Sequence, residues 1–214
     1  MRPRPAVFPL LSVSLALALS ACGAERAVEK QAEVATGAVA DVIEAIEPAT
    51  EPAAASEAIP ASGDARMDGY GALLFGMPAE AAVAKWTGNP LQAAGEVDDA
   101  MACHYLVPAG QDARDGLAFM FEGDAFVRYG TGSDAITAPG GGRVGMDEAA
   151  LDGLYGGRFE ATPHKYVEGG KVLSSAVDGG IRPSRLVFEL GADGRASRWR
   201  VGLEPQVGYV EGCG

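Results

Sequence analysis

Apolar positions along this chain change their spacing twice. Ala6 to Leu19 is an almost unbroken apolar run, interrupted by Pro9 and two serines. It is shorter than the about 20 apolar residues a membrane-spanning helix needs. From Gly23 to Met67 the apolar residues are mostly alanine, and Phe, Trp and Tyr are absent. Val28, Ala32, Ala35, Val39, Val42 and Ile46 fall at helical spacing there, which allows a transient or docked helix. Glu47-Pro48, Glu51-Pro52 and Ile59-Pro60 interrupt it. A stretch so poor in large apolar side chains cannot build a core and reads as a tether. From Asp68 onward short apolar alternations take over, and every aromatic except Phe8 lies in this part.

Within 68–214 the pattern runs through the same order twice. The first unit opens on an apolar segment at 70–75, then Gly76-Met77-Pro78. A helix is predicted from Pro78 to about Thr87, with Val83 and Trp86 on one face. Pro78 suits its first turn and Gly88 its stop. Strands are predicted at 101–107, 117–122 and 125–129, with Glu122-Gly123-Asp124 as a hairpin turn. The second unit restates this from Val144-Gly145-Met146-Asp147, with Asp147 as the N-cap of a helix bearing Ala150, Leu151 and Leu154. Tyr155-Gly156-Gly157 ends that helix. Strands are predicted at 165–167, 172–177, 186–190 and 197–203, with Ala192-Asp193-Gly194 as a turn and 206–211 as a last edge strand. Gly76 and Gly145 are 69 residues apart. The prediction is an α+β domain of two weakly repeated helix-plus-antiparallel-strand units, about 68–132 and 140–214.

Arg2 and Arg4 precede the first apolar run, and Leu19-Ser20-Ala21-Cys22 closes it. This arrangement resembles the lipobox of bacterial lipoproteins. The resemblance implies that residues 1–21 are removed and that Cys22, diacylated on sulfur and acylated again on its new amine, anchors the chain. An ordinary secretory signal with a chance cysteine is the alternative. Two acyl chains already give stable anchoring, so three hold the chain firmly. Gly23, where aspartate would favour inner-membrane retention, implies the periplasmic face of the outer membrane, with surface display left open. Residues 22–67, as a flexible coil, reach roughly 35–40 Å.

Charge narrows the partners. The full chain carries −12, so −14 remains once Arg2 and Arg4 leave with the signal. That argues against nucleic acid and against an electrostatic grip on anionic lipid, and it suits a basic partner or plain solubility. With Cys22 given to lipid, Cys103 and Cys213 are an even pair in an oxidising compartment and are expected to form a disulfide. Free thiols, or a metal site that includes His104, are the alternatives. A zinc site needs three or four convergent ligands, and His164 is the only other histidine.

Gly76-Met77, Gly88-Asn89-Pro90 and Tyr105, restated as Gly145-Met146, Tyr155-Gly156 and Tyr166, resemble a unit found in two families. One is the small lipoprotein subunit of the outer-membrane β-barrel assembly machinery. The other is the β-lactamase inhibitor proteins, which carry that unit in tandem. The second unit, with Pro163-His164-Lys165-Tyr166, Arg198-Trp199-Arg200 and Val210-Glu211-Gly212-Cys213, is also similar to a group of proteobacterial lipoproteins of uncharacterised role. Some of those carry a lectin label.

Gly140-Gly141-Gly142-Arg143-Val144-Gly145 has the letters of a dinucleotide fingerprint but lacks its βαβ context, so no nucleotide is expected and the stretch reads as a flexible inter-repeat loop. His164 is a general-base candidate with no nucleophile or carboxylate tied to it by spacing. Otherwise Pro163-His164-Lys165-Tyr166 starts a strand with His and Lys facing solvent. Asp98-Asp99 and Asp112 with Asp115 are solvated turns or weak calcium candidates. Arg198 and Arg200 share one strand face, as a charged solvent face or, with Arg128 or Arg185, as a small anion site, while Trp199 faces the core. A sugar-binding role would use exposed rings from Trp86, Tyr105, Tyr155 or Tyr166. The expectation is a lipid-anchored periplasmic binding protein without catalysis, cofactor or metal. Its partner is an envelope protein or a glycan, with Arg198, Arg200, His164 and Tyr166 as ligand contacts. Carbohydrate or peptidoglycan binding, and hydrolysis through His164, are the alternatives.

Overall fold

The computed structural model describes residue 59 and residues 63–97, 102–176 and 182–213, all within the unit Glu51–Gly214. The signal, Cys22, residues 22–58 of the tether, the helical spacing between Val28 and Ile46, and Asp98-Asp99 lie outside the described residues. No helix among the described residues is long and apolar enough to cross a membrane.

The duplicated pattern is an eight-stranded antiparallel sheet built from two like halves. The first half is α1 (Ala79–Lys85), then β4 (Leu91–Ala93), β5 (His104–Pro108), β6 (Ala118–Glu122) and β7 (Ala125–Thr131). The second is α2 (Glu148–Tyr155), then β8 (Phe159–Pro163), β9 (Lys171–Ser175), β10 (Ser184–Leu190) and β11 (Ala196–Leu203). The strand order is β4-β5-β6-β7-β11-β10-β9-β8, so each half runs as a meander and the last strands of the two halves meet in the middle. At that seam Trp199 pairs with Thr131 and Val201 with Tyr129. Three two-residue strands, β1 (Ala65–Arg66), β2 (Gly69–Tyr70) and β3 (Leu73–Leu74), form a separate small sheet before α1. Ala65 and Met67 are buried, so the folded domain begins a few residues before Asp68.

Local chemistry explains the element ends. The Asp147 carboxylate accepts the Ala150 amide at 2.9 Å and caps α2, which stops at Gly156 in the left-handed region. Pro78 is the N-cap residue of α1, and Asp124 accepts the Ala79 amide at 3.1 Å from the neighbouring hairpin. Gly123 (φ 59°) and Asp124 (φ 56°) are both left-handed between the paired Glu122 and Ala125, which is the backbone a two-residue hairpin loop requires.

One face of the sheet carries the core. Phe119, Phe121, Phe126, Tyr129, Phe188 and Trp199 are fully buried there under the helices. The helices bury Ala82 on α1, and Leu151 with Tyr155 on α2. Val83 and Leu154, expected on apolar faces, are 48% and 45% exposed. Tyr129 and Trp199 meet edge to face at 5.7 Å and join the halves.

Three local expectations are corrected. Residues 165–167 are not a strand: β8 comes earlier, and residues 164–170 turn into β9. Residues 206–211 are not an edge strand: Gln206–Gly208 is a 3-10 turn, and the chain beyond it is irregular. Gly140-Gly141-Gly142 is a packed turn. The Tyr155 hydroxyl donates to Pro139 O at 2.6 Å and accepts the Gly142 amide at 2.9 Å.

Candidate functional site

The second face of the sheet, opposite the core, holds most of the chemistry singled out in the sequence. The pairings Met120↔Arg128, Arg128↔Gly202, Gly130↔Arg200, Arg200↔Val187 and Arg198↔Glu189 put these residues on that face. Residues 204–213 fold back across it as a strap. Val207 of the strap is 1% exposed. Arg128 Nη1 donates to Tyr209 O at 2.7 Å and to Gln206 O at 3.2 Å, and Arg200 Nε donates to Val207 O at 2.6 Å. The Gln206 side chain reaches Glu122 at 2.5 Å. The strap ends in the Cys103–Cys213 disulfide, whose Cα atoms are 5.3 Å apart across 110 residues of sequence.

Arg200 is therefore not on a solvent face. It is 3% exposed and pairs with Glu189, which is itself buried on β10. Burial lowers the Arg200 pKa against the opposing pull of Glu189. Burial, followed by the neighbouring Arg200 charge, pushes Arg128 down to about 10, so it stays a cation at neutral pH. Arg198 is half-buried and donates to Arg114 O at 2.7 Å. Arg128 and Arg200 converge on the strap, and what they bind is its backbone carbonyls, while Arg198 turns to Arg114 instead.

His164 has a buried side chain and does not face solvent. Its Nδ1 accepts the amides of Tyr166 and Val167, each at 3.1 Å, which places the ring proton on Nε2. Nε2 lies 3.7 Å from Glu189 Oε2. The carboxylate absent from the sequence spacing is thus supplied by β10, and that carboxylate already holds Arg200. Glu189 is the residue sequence reasoning missed. Its signal was present: one acid inside the apolar run Leu186-Val187-Phe188-Glu189-Leu190 implies a buried partner.

The remaining candidates separate. Tyr166 is 55% exposed, the only exposed aromatic among the described residues, and its hydroxyl bonds Glu211 of the strap. Tyr155 is in the core, while Trp86 and Tyr105 are half-buried. His104 stacks on Phe121 at 5.6 Å. Asp112 accepts the amides of Arg114 and Asp115 at 2.8 and 2.9 Å, which shapes a turn and lowers its pKa. No group of three or more His, Cys, Asp or Glu side chains among the described residues is placed to hold a metal ion.

Two hollows border the outer strand β8. One, about 530 Å³, includes Ala161, Pro163, Val167 and Lys171. The other, about 310 Å³, lies between the second face and the strap and includes Glu160, Val172, Val187, Val207 and Val210.

The chain matches no protein family and no curated protein. Among solved structures it is similar to an extracellular protein containing a SCP domain from Bacillus anthracis strain Ames. The identity is 10%, the match covers 60% of this chain and 44% of that one, and the TM-score is 0.37. The chain thus spans less than half of that protein, and the likeness is too distant to assign a function.

Proposed function

We infer that this chain is a lipid-anchored protein of the outer membrane, held on its periplasmic face through Cys22, that binds another envelope macromolecule and performs no catalysis. The observation that carries the reading is the use the fold makes of its reactive groups. His164, Glu189, Arg200 and Arg128 hold one another and the strap, so the polar chemistry of the second face fixes a rigid platform. What that platform leaves open are hollows beside a strand edge that is unpaired among the described residues, which suits recognition. The lipobox resemblance and the Ala/Glu/Pro tether support the anchored placement, and the net charge of −12 supports a basic partner.

The test is photo-crosslinking in living cells with the full-length chain. The photoreactive residue is placed in turn at several exposed positions spread over both halves, including Ala84, Leu154 and Asp193. Covalent adducts to one discrete envelope protein, lost when Cys22→Ser releases the chain from the membrane, are the expected result. Adducts to peptidoglycan or glycan alone, or adducts unaffected by Cys22→Ser, overturn it.

A further inference from the structure

β8 closes one end of the eight-stranded sheet, and its far side pairs with no strand among the described residues. The ladder to β9 decides which of its backbone groups face outward. The His164 amide donates to Gly170 O at 3.0 Å, one step beyond the register that pairs Pro163 with Lys171. Bonded and unbonded pairs alternate in an antiparallel ladder, so Thr162 and Glu160 also turn their backbone groups toward β9. Phe159, Ala161 and Pro163 turn theirs outward. The missing N–H of Pro163 falls on the open side, where an edge strand tolerates it. The free row is two N–H donors and three carbonyl acceptors, enough to pair one short extended segment.

The two hollows border this strand and share Thr162 and Pro163 in their linings. Ala161 lines only the first and Glu160 only the second. The cations of both are already engaged. Lys171 pairs with Glu148 at 2.6 Å, Lys165 with Glu211 at 3.3 Å, and Arg185 with Glu204. The Glu160 carboxylate has no hydrogen bond or ion pair among the described residues. It stands over an apolar floor that includes Val172 and Val187, with Thr162 on the same face of the strand.

We propose that β8 is a docking edge for an extended segment of a partner protein whose side chains alternate basic and apolar. The segment adds as a ninth strand on the outward groups of Phe159, Ala161 and Pro163. Its basic side chains fall on the Glu160 side, where the aliphatic stems cover the valines and the charged heads reach the carboxylate. Its apolar side chains fall on the Ala161 and Pro163 side. The acidic net charge favours the same partner at longer range. The proposal rests on the binding role inferred above and names the kind of partner that role uses.

The test uses the full-length chain in detergent micelles and a synthetic eight-residue peptide of alternating valine and lysine. Its block isomer, four valines then four lysines, is the control. The alternating peptide is expected to bind at least tenfold more tightly. Glu160→Lys and Ala161→Pro are each expected to weaken it tenfold or more. Glu96→Lys, the same charge change at an exposed position on the other half, is expected to change it less than threefold. Glu160→Lys alters an exposed side chain, so the test stands even if Ala161→Pro lowers the melting temperature. Equal affinity for the block isomer, or equal losses in Glu160→Lys and Glu96→Lys, reduces the contact to unspecific charge and overturns the proposal. A chain that dimerises in sedimentation and becomes monomeric in Ala161→Pro overturns it too, because a second copy then fills the edge. Crosslinks from other surfaces to a discrete envelope protein, with no peptide binding at β8, remove this site and leave the binding role standing.

Discussion

The Tyr155 hydroxyl serves two buried backbone groups at once, Pro139 O and the Gly142 amide. Tyr155→Phe keeps the ring and leaves both unsatisfied, so urea unfolding should show a loss of about 2–3 kcal/mol. A loss under about 0.5 kcal/mol would mean that neither group depends on the hydroxyl. Gly142 is held by space: a Cβ there would sit 2.5 Å from Phe188 Cζ. The Glu189–Arg200 pair answers to a different rule. Glu189→Leu strands a buried guanidinium and should cost about 3–5 kcal/mol, and adding Arg200→Met should recover much of it. The same denaturation series reads both. Burial raises the pKa of Tyr70, Tyr129 and Tyr155, the last to about 12. Above pH 10 the unfolded chain releases these protons first, so their contribution is whole below pH 10 and falls as pH rises toward 12. Tyr155 alone accounts for about 2 kcal/mol of that fall. Arg128 acts in the opposite sense, since its folded pKa is lowered to about 10. The three phenols should therefore ionise, by absorbance near 295 nm, together with loss of near-ultraviolet circular dichroism. Ionisation well before that loss would show that they are accessible in the folded state.

Among the elements, the strap is the one whose stability rests on distant residues. Its carbonyls are held by Arg128 and Arg200 and its end by Cys103. Replacing both cysteines with serine opens a 110-residue loop. The loop-entropy model then predicts a loss of about 4–5 kcal/mol, with faster hydrogen exchange at residues 206–213 than in β10 and β11. Unchanged exchange in the strap would mean that the arginines hold it alone. The strap also marks where the sequence stopped being legible. Helix α2 and the Gly123-Asp124 hairpin were readable because caps and left-handed turns are set by adjacent residues. The pairing of Cys103 with Cys213 followed from counting cysteines. Residues 206–211 look like a strand in isolation, and only partners some 80 residues away divert them. The alternation of Arg198, Trp199 and Arg200 correctly sent the tryptophan inward. It could not say that the opposite face is roofed, because a roof is not a local property. β4, β1, β2 and β3 are too short to leave a period. At the site, His164 was visible and its partner Glu189 was concealed inside an apolar run.

The whole molecule depends on the seam between its halves. Each half is a helix with four strands, about 70 residues, a size at which one small core is marginal without a staple. The shared core is concentrated where β7 meets β11. Tyr129 from one half packs edge to face on Trp199 from the other, and both are fully buried. Each such side chain contributes about 1.5–3 kcal/mol that a separated half would forfeit. The strap crosses the same seam, carrying Tyr209 O and Gln206 O to Arg128 and Cys213 to Cys103. A chain ending at residue 138 keeps Arg128 and Cys103 but loses the carbonyls, the sulfur and the tryptophan that complete them. Its open β7 edge would expose Arg128 and a bare apolar face together. The expected result for residues 59–138 alone is a collapsed nuclear magnetic resonance spectrum and no cooperative melt. The intact chain should unfold in one transition that tryptophan fluorescence and far-ultraviolet circular dichroism report at the same midpoint. Two separated midpoints, or a well-dispersed spectrum from the first half alone, would make the halves independent domains and reduce the seam to a contact between them.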